Sequence, residues 1–375
     1  MDLLRGLAIF LVLMNHVNMR LLIAHMPYTN GLPEQLISSL VWNGQRGVQI
    51  FFAVSGFLIT ATTLKRWGPL SEVSLRGFYL MRFARIVPLL LLLLSVLSIL
   101  HLAQVKYFVV SPKTGGLGRA LVAALTFHVN VLEARYGYLP GSWDILWSLS
   151  VEEIFYLFFP VAARLLGRGK FLIALLLGFV VLGPFARTVF SHGNEVWREY
   201  SYLGSMDAIA LGCLTALALS QRHLSRRTRY ALGCFGATLL ILILCFSVRV
   251  ERWGLTNSGL DMSVVAIGTC MIIATAVQTG WKAPWFTRPL LHLGQRSYEI
   301  YLTHMFVVFG LFQWFALAGT PMRAVPALFI AVVVLSGMLG AGVARFFSEP
   351  MNQVIRKQWA GTAGRGILLL NHEGG

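Results

Sequence analysis

Residues 3–23 read LLRGLAIFLVLMNHVNMRLLI, and in this run of 21 positions the only charged or titratable side chains belong to Arg5, His16 and Arg20. A helix rises 1.5 Å per residue, so about 20 apolar residues cross the roughly 30 Å hydrocarbon core of a bilayer. Lipid offers no hydrogen-bond partners to an open backbone, so a single apolar segment crosses it as a helix. The stretch therefore predicts a transmembrane helix.

Blocks of the same kind recur along the chain and indicate an all-α, polytopic transmembrane helix bundle. Of the 375 residues, 57% are hydrophobic and 12% are charged, whereas about a quarter of the residues in a soluble domain are charged. Residues 119–132 are apolar but short, so we expect a short helix there, surface-lying or re-entrant, in a long outer loop over 105–145. About ten spans are expected, at 3–23, 48–64, 86–104, 146–166, 171–190, 203–219, 230–248, 262–279, 290–315 and 324–346.

The net charge of +16 does not indicate nucleic-acid binding, because the Lys and Arg residues lie in short loops between the apolar blocks. If the N-terminus is cytoplasmic, the inner loops carry 18 basic residues and the outer loops carry ten. This is the positive-inside pattern, and it predicts that both termini are cytoplasmic. We expect one transmembrane domain over 1–350 and a cytoplasmic tail over 351–375. The four cysteines lack metal-ligand spacing, so no metal site is expected.

Arg5 and His16 are the first candidates for chemistry. They are eleven residues apart, about three helical turns, so they share one helix face at an axial separation of ~16 Å. A titratable side chain near mid-membrane is costly, and its default interpretation is a functional group that faces the bundle interior. Imidazole can take a proton from a hydroxyl and return it to a leaving thiolate. The alternative is a histidine that only hydrogen-bonds neighbouring helices.

Two arginines precede the third span. Arg82 and Arg85 are i,i+3 neighbours, and we place them at the cytoplasmic start of a helix. There the two guanidinium groups and the positive end of the helix dipole could bind the phosphates of a nucleotide-bearing donor. Ordinary positive-inside anchoring is the alternative.

The fourth span carries a polar face. Ser148, Glu152 and Tyr156 follow one another at i,i+4 spacing, which places them on one side of the helix. Glu152 could orient His16 or hold an acceptor hydroxyl, and its alternative role is a favourable charge near a helix N-terminus. Polar groups recur inside later spans, and such stripes often serve only as contacts between helices: Asp207, Ser297, Tyr301 and His304.

Taken together, these motifs resemble the membrane-bound acyltransferase-3 family, which includes O-acetylases of bacterial O-antigen and exopolysaccharide. The resemblance extends from Arg5 to Glu349-Pro350 and rests on six motifs in the same order. They are Arg-x10-His from Arg5, Ser-Gly-Phe-Leu-Ile from Ser55, Arg-x-x-Arg from Arg82, Trp-Ser-Leu-Ser-Val-Glu-Glu-x-Phe-Tyr from Trp147, Asp-x4-Gly from Asp207 and Ser-Tyr-x-Ile-Tyr-Leu-x-His from Ser297.

The resemblance implies a bundle of ten helices that transfers an acyl group, usually acetyl, from cytoplasmic acyl-coenzyme A to a hydroxyl of a carbohydrate or glycoconjugate. It implies catalytic roles for His16 and Glu152, and donor binding by Arg5, Arg82 and Arg85. Direct transfer and a covalent acyl-histidine both remain open. No permanently bound cofactor is implied, and the expected location is a bacterial inner membrane, in contact with its lipid. Acceptor binding is expected at Asp207, Trp147, Ser148, Tyr301 and His304.

Two other classes of function remain as alternatives. A transporter or exporter of a polar or acylated metabolite fits the number of spans and the buried polar groups, although the chain lacks the internal repeats of many transporters. A non-catalytic membrane scaffold is the second alternative, and it leaves the shared face of Arg5 and His16 unexplained.

Overall fold

A computed structural model describes residues 1–168, 170–281, 283–319 and 321–358. Within these ranges the chain forms helices and turns and no β-strand, which confirms the predicted all-α class. The α-helices are α1 (Asp2–Ile23), α2 (Glu34–Val41), α3 (Gly44–Trp67), α4 (Leu75–Leu102), α5 (Gly116–Leu125), α6 (Val129–Tyr136), α7 (Gly141–Asp144), α8 (Leu146–Leu166), α9 (Phe171–Arg187), α10 (Glu195–Tyr200), α11 (Tyr202–Gln221), α12 (Arg226–Cys245), α13 (Ser247–Arg252), α14 (Leu260–Thr279), α15 (Arg288–Gln295), α16 (Ser297–Leu317) and α17 (Val325–Val343).

The long helices match the predicted spans. In the described part of the chain, nine helical segments are long and apolar enough to cross a membrane. A further predicted span corresponds to α9, which has 17 residues and is therefore about 26 Å long. The last helix extends past the tenth predicted span, 324–346, because a π-helical turn (Ala344–Ser348) follows α17 and the helix then continues to Gln358. The rest of the predicted tail, 359–375, lies outside the described residues.

The ninth predicted span, 290–315, is wrong at its start. The chain forms two helices here, α15 and α16, and the junction between them is at Arg296. Helix α15 lies in close contact with α1, since a Cβ added to Gly294 would lie 1.8 Å from the carbonyl oxygen of Asp2. The short helix therefore packs directly on the beginning of α1, and the spanning helix begins at Ser297.

The contact between α3 and α11 explains two glycines of the sequence motifs. A Cβ on Gly56 would lie 2.0 Å from the carbonyl oxygen of Ile209, and one on Gly212 would lie 2.1 Å from that of Ala53. Each glycine thus allows the backbone of the facing helix to approach. Small residues at such positions are common where membrane helices pack closely.

The segment 105–145, in which one short helix was expected, contains α7 and, before it, two further short helices, α5 and α6. Phe127 separates them and adopts a left-handed backbone conformation with φ 57°. Three alanines of α5 are buried, and Leu132 and Glu133 of α6 are buried as well. This segment therefore packs against the bundle and does not form an open loop.

Candidate active site

Helices α1, α3, α4, α8 and α16, together with the segment after Ser348, surround a cavity of about 220 Å³. The three arginines that the sequence analysis selected, Arg5, Arg82 and Arg85, all line it. A fourth arginine, Arg356, joins them from the last described turns of the chain. The charged groups of the wall are these four arginines with Glu152 and Glu153, so positive charge predominates in the cavity.

The position of Arg82 differs from the expected helix start. Helix α4 begins at Leu75, so Arg82 lies about two turns inside the helix. The effect of the helix dipole falls off within the first turn. The prediction that the dipole assists phosphate binding at Arg82 is therefore wrong. Instead, the guanidinium group lies over the ring of Tyr156, 3.7 Å from its centroid. A guanidinium stacked in this way is held in one plane while its N–H groups can still bind a phosphate.

Glu152 belongs to a compact polar cluster in the wall of the cavity. Its Oε1 accepts hydrogen bonds from the hydroxyls of Ser55 and Tyr156, the latter at 2.8 Å. This confirms the shared helix face of Glu152 and Tyr156. The contact expected between Glu152 and His16 is absent among the described residues, so the structure gives no support to an orienting role for this glutamate.

His16 contacts another histidine. Its Nδ1 lies 2.9 Å from the carbonyl oxygen of Val12 and 3.3 Å from Nε2 of His304, and the two ring centroids are 4.9 Å apart. His304 is 0% exposed, whereas His16 is partly exposed. Nδ1 of His304 lies 2.7 Å from the carbonyl oxygen of Tyr301. Of the stripe that the spacing predicted, His304 thus faces α1, whereas the ring of Tyr301 packs against Phe51 of α3.

Ser148 and Tyr301 connect the cavity with this histidine pair. Their hydroxyl oxygens are 2.6 Å apart, and the Tyr301 hydroxyl also donates to the carbonyl oxygen of Ile145 at 3.0 Å. Both residues line the cavity, and the ring of Tyr301 lies 5.9 Å from that of His304. The wall of the arginine-lined cavity at Tyr301 therefore adjoins His304, which in turn contacts His16.

Two residues expected to bind the acceptor lie elsewhere. Trp147 is buried and stacks on Tyr200 with the ring centroids 4.2 Å apart. Asp207 is 0% exposed, and its carboxylate accepts hydrogen bonds from Arg187 at 2.8 Å and Ser263 at 2.6 Å. Neither residue is part of the wall of the arginine-lined cavity. The Asp207 carboxylate is thus bound by side chains of the protein, and its contacts with Arg187 and Ser263 join α9, α11 and α14.

The sequence analysis missed several residues of the site. Glu153 lines the cavity, and its Oε1 is buried without a hydrogen-bond partner in the described ranges. Its position next to Glu152 in the sequence was the signal that could have identified Glu153 as a candidate. Ser55 reaches Glu152 from another helix, and Arg356 comes from the end of the chain. No spacing pattern links either of them to the cavity.

Another buried acid lies in α6. Glu133 is 0% exposed, and its Oε1 accepts a hydrogen bond from the backbone N–H of Leu139 at 3.0 Å. Burial, and then the neighbouring carboxyl of Asp144, raise the pKa of Glu133 well above its usual range.

The relatives found by sequence comparison carry names of O-acetyltransferases. A protein of Staphylococcus aureus (strain COL), whose name marks that activity as provisional, is 26% identical over 287 residues, which are 71% of this chain and 46% of the relative. O-acetyltransferase OatA of Staphylococcus aureus (strain NCTC 8325 / PS 47) is 24% identical over 334 residues, 83% of this chain and 53% of OatA. The chain thus spans about half the length of the curated relatives it matches.

No solved structure matches the chain. The family comparison is more extensive, because the acyltransferase-3 profile, described as an acyltransferase domain, matches residues 1–344. This range contains both histidines and three of the four arginines of the cavity. With its apolar helices and a match over nearly its whole length, the chain belongs to the acyltransferase-3 family of multi-pass membrane proteins.

Proposed function

We propose that this protein is an integral membrane O-acyltransferase that moves an acyl group, acetyl in the simplest case, from acyl-coenzyme A to a hydroxyl of a carbohydrate or glycoconjugate. The observation that carries the proposal is the cavity with four arginines whose wall at Ser148 and Tyr301 adjoins the His16–His304 pair. The names of the O-acetyltransferase relatives support the class of reaction. The domain over 1–350 would hold the whole site except Arg356.

The arginines suit the donor. Coenzyme A carries phosphates at one end and the thioester at the other, and guanidinium groups bind phosphate through paired N–H donors. In our proposal Arg82, Arg85 and Arg356 bind the phosphates, and Arg5 lies on the path of the pantetheine arm. The thioester then reaches the end of the cavity near Tyr301. This arrangement requires that the arginine-lined side face the cytoplasm, which we propose is that of a bacterial cell with this protein in its inner membrane.

His16 is the proposed general base. Its Nε2 takes the proton of the acceptor hydroxyl while that oxygen attacks the thioester carbonyl carbon. The tetrahedral intermediate collapses, the C–S bond breaks, and the imidazolium returns the proton to the thiolate. The products are the acyl ester and coenzyme A with a free thiol, so atoms and charge balance. An acceptor hydroxyl would arrive from the side of His16 opposite the donor.

The test is release of free thiol from acetyl-coenzyme A by the purified protein in detergent, with and without a mixture of carbohydrate acceptors. The His16→Ala variant should lose activity by about 10²–10⁴-fold, the contribution typical of general acid–base catalysis. His223→Ala is the matched control, because His223 is exposed in the loop after α11. Thermal unfolding of each variant checks that the protein remains folded.

Two results would contradict the proposal. If folded His16→Ala retains activity, His16 is not the general base. If the wild-type protein does not bind radiolabelled acetyl-coenzyme A, the proposed acyltransferase reaction is wrong. Substrate flux in vesicles without an acyl donor would then favour the transporter.

A further inference from the structure

The protonation of His304 follows from its neighbours. Its Nδ1 faces two carbonyl oxygens, those of Tyr301 at 2.7 Å and Ile300 at 3.2 Å. A carbonyl oxygen only accepts hydrogen bonds, so Nδ1 of His304 carries the proton. In the neutral imidazole the other nitrogen, Nε2, therefore has a lone pair that can accept.

The same reasoning assigns the proton of His16. Its Nδ1 lies 2.9 Å from the carbonyl oxygen of Val12, which again can only accept. The Nδ1–H of His16 is thus shared between Val12 and the lone pair of His304 Nε2, which is 3.3 Å away. Consequently Nε2 of His16 carries the lone pair, and this is the nitrogen that can serve as a base.

Burial separates the roles of the two rings. His304 is 0% exposed, while His16 keeps part of its surface accessible, so His16 is the ring of the pair that an acceptor can approach in this structure. No carboxylate hydrogen-bonds to His16 among the described residues, since Glu152 binds Ser55 and Tyr156, and Asp207 binds Arg187. In the described part of the chain, His304 is the one side chain that hydrogen-bonds to the His16 ring.

We propose that His304 is the positioning residue of the reaction. Its Nε2 accepts the Nδ1–H of His16, keeps the basic lone pair on the accessible Nε2, and stabilises the imidazolium that forms when His16 takes the acceptor proton. That hydrogen bond becomes charge-assisted in the transition state and therefore stronger than in the ground state. This inference rests on the proposed function. It gives a neutral imidazole the place that a buried aspartate has in a serine-protease triad.

The test compares His304→Leu with His304→Gln, and kcat and the KM for acetyl-coenzyme A are measured for both. Leucine removes the acceptor, while the amide oxygen of glutamine can still accept the Nδ1–H of His16. We expect His304→Leu to lower kcat by about 10–100-fold, the effect typical of removing the hydrogen-bond partner that orients a metal-ligating histidine. The KM should stay within about two-fold, because His304 does not contact the donor. His304→Gln should recover most of the lost kcat.

The outcomes separate this inference from the proposed function. If His16→Ala is inactive and folded His304→Leu keeps its kcat, the positioning role fails and the general base stands. Equal losses in the leucine and glutamine variants, or a raised KM with kcat unchanged, would show a structural role and overturn the inference. If His304→Leu does not fold, His304→Phe supplies a ring of similar size that lacks the lone pair. Activity in His16→Ala would overturn both proposals.

Discussion

Arg356 adds the fourth positive charge of the cavity, and it comes from the helix beyond the π-helical turn Ala344–Ser348. An ion pair between Arg296 and Glu349 joins the start of this helix to the junction of α15 and α16. Turns of π-helix are rare and occur often at functional sites. The π-helical turn and this solvent-exposed ion pair both lie at the start of the helical segment that carries Arg356.

Replacing Arg356 by glutamine should weaken donor binding and leave chemistry intact. The side chain is more exposed than Arg82, so we expect the loss of about 0.5–1 kcal/mol that a solvent-exposed charge contact contributes. This corresponds to a rise in the KM for acetyl-coenzyme A of about two- to five-fold, with kcat unchanged. Arg345→Gln is the control, since Arg345 lies in the π-helical turn over Phe346. An unchanged KM in Arg356→Gln, or an equal change in the control, would contradict a donor contact.

For individual residues, the sequence identified several members of the candidate site but not the side chains that each of them contacts. Arg5 and His16 could be selected because one helix carries both, and Glu152 and Tyr156 because i,i+4 spacing places them together. The contacts that define the site join different helices, namely Ser55 with Glu152 and His304 with His16. Spacing within one helix contains no information about the helix opposite. The roles assigned to these residues stay predictions.

The helices themselves were predictable where the apolar pattern is long and unbroken. All ten predicted spans correspond to helices of the structure. The errors lie at the ends, because α4 begins at Leu75, eleven residues before the predicted start, and α15 is separate from α16. Helix α4 starts at its N-cap, Ser74, whose hydroxyl oxygen accepts a hydrogen bond from the backbone N–H of Gly77. A hydropathy pattern detects the apolar part of a helix and not the polar turns that continue the helix beyond it.

The close contact of α3 with α11 should depend on Gly212. Alanine there places its Cβ 2.1 Å from the carbonyl oxygen of Ala53, so the two helices must separate, at a cost typical of overpacking, about 1–3 kcal/mol. We expect a lower unfolding temperature and a lower yield of monodisperse protein. Gly178→Ala in α9 is the matched control, because a Cβ there meets no atom within 4 Å.

The control should be neutral or slightly stabilising, since alanine is the better helix former by up to about 1 kcal/mol. Fluorescence-detected size-exclusion chromatography after heating measures both variants in one detergent. Equal unfolding temperatures for Gly212→Ala and the wild type would mean that the helices tolerate separation and that the contact contributes little.

For the whole molecule, composition decided the class of fold, and the distribution of charge gave a hypothesis about orientation. The helices follow from apolar blocks that only a bilayer or a protein interior can surround. Orientation depends on which side of the membrane the basic loops occupy. The packing of the helices would be the same in either orientation of the bundle. The proposed reaction depends on that orientation, because coenzyme A donors are cytoplasmic and the four arginines line the cavity that we propose binds the donor.

Cysteine labelling can measure the orientation. In a variant without the four native cysteines, a single cysteine would be placed at His223, in the loop between α11 and α12, or at Ser258, in the loop before α14, both of which are exposed. Two loops at opposite ends of the bundle should react differently with a membrane-impermeant maleimide added to intact cells. We expect Ser258→Cys to be labelled in intact cells. We expect His223→Cys to be labelled only after permeabilisation, since Arg222, Arg226 and Arg227 should keep the loop that contains His223 on the cytoplasmic side.

The reverse labelling pattern would place the arginine-lined cavity on the outer side, where cytoplasmic acyl-coenzyme A does not reach it. The donor in the proposed reaction would then be wrong even if His16 proved to be essential.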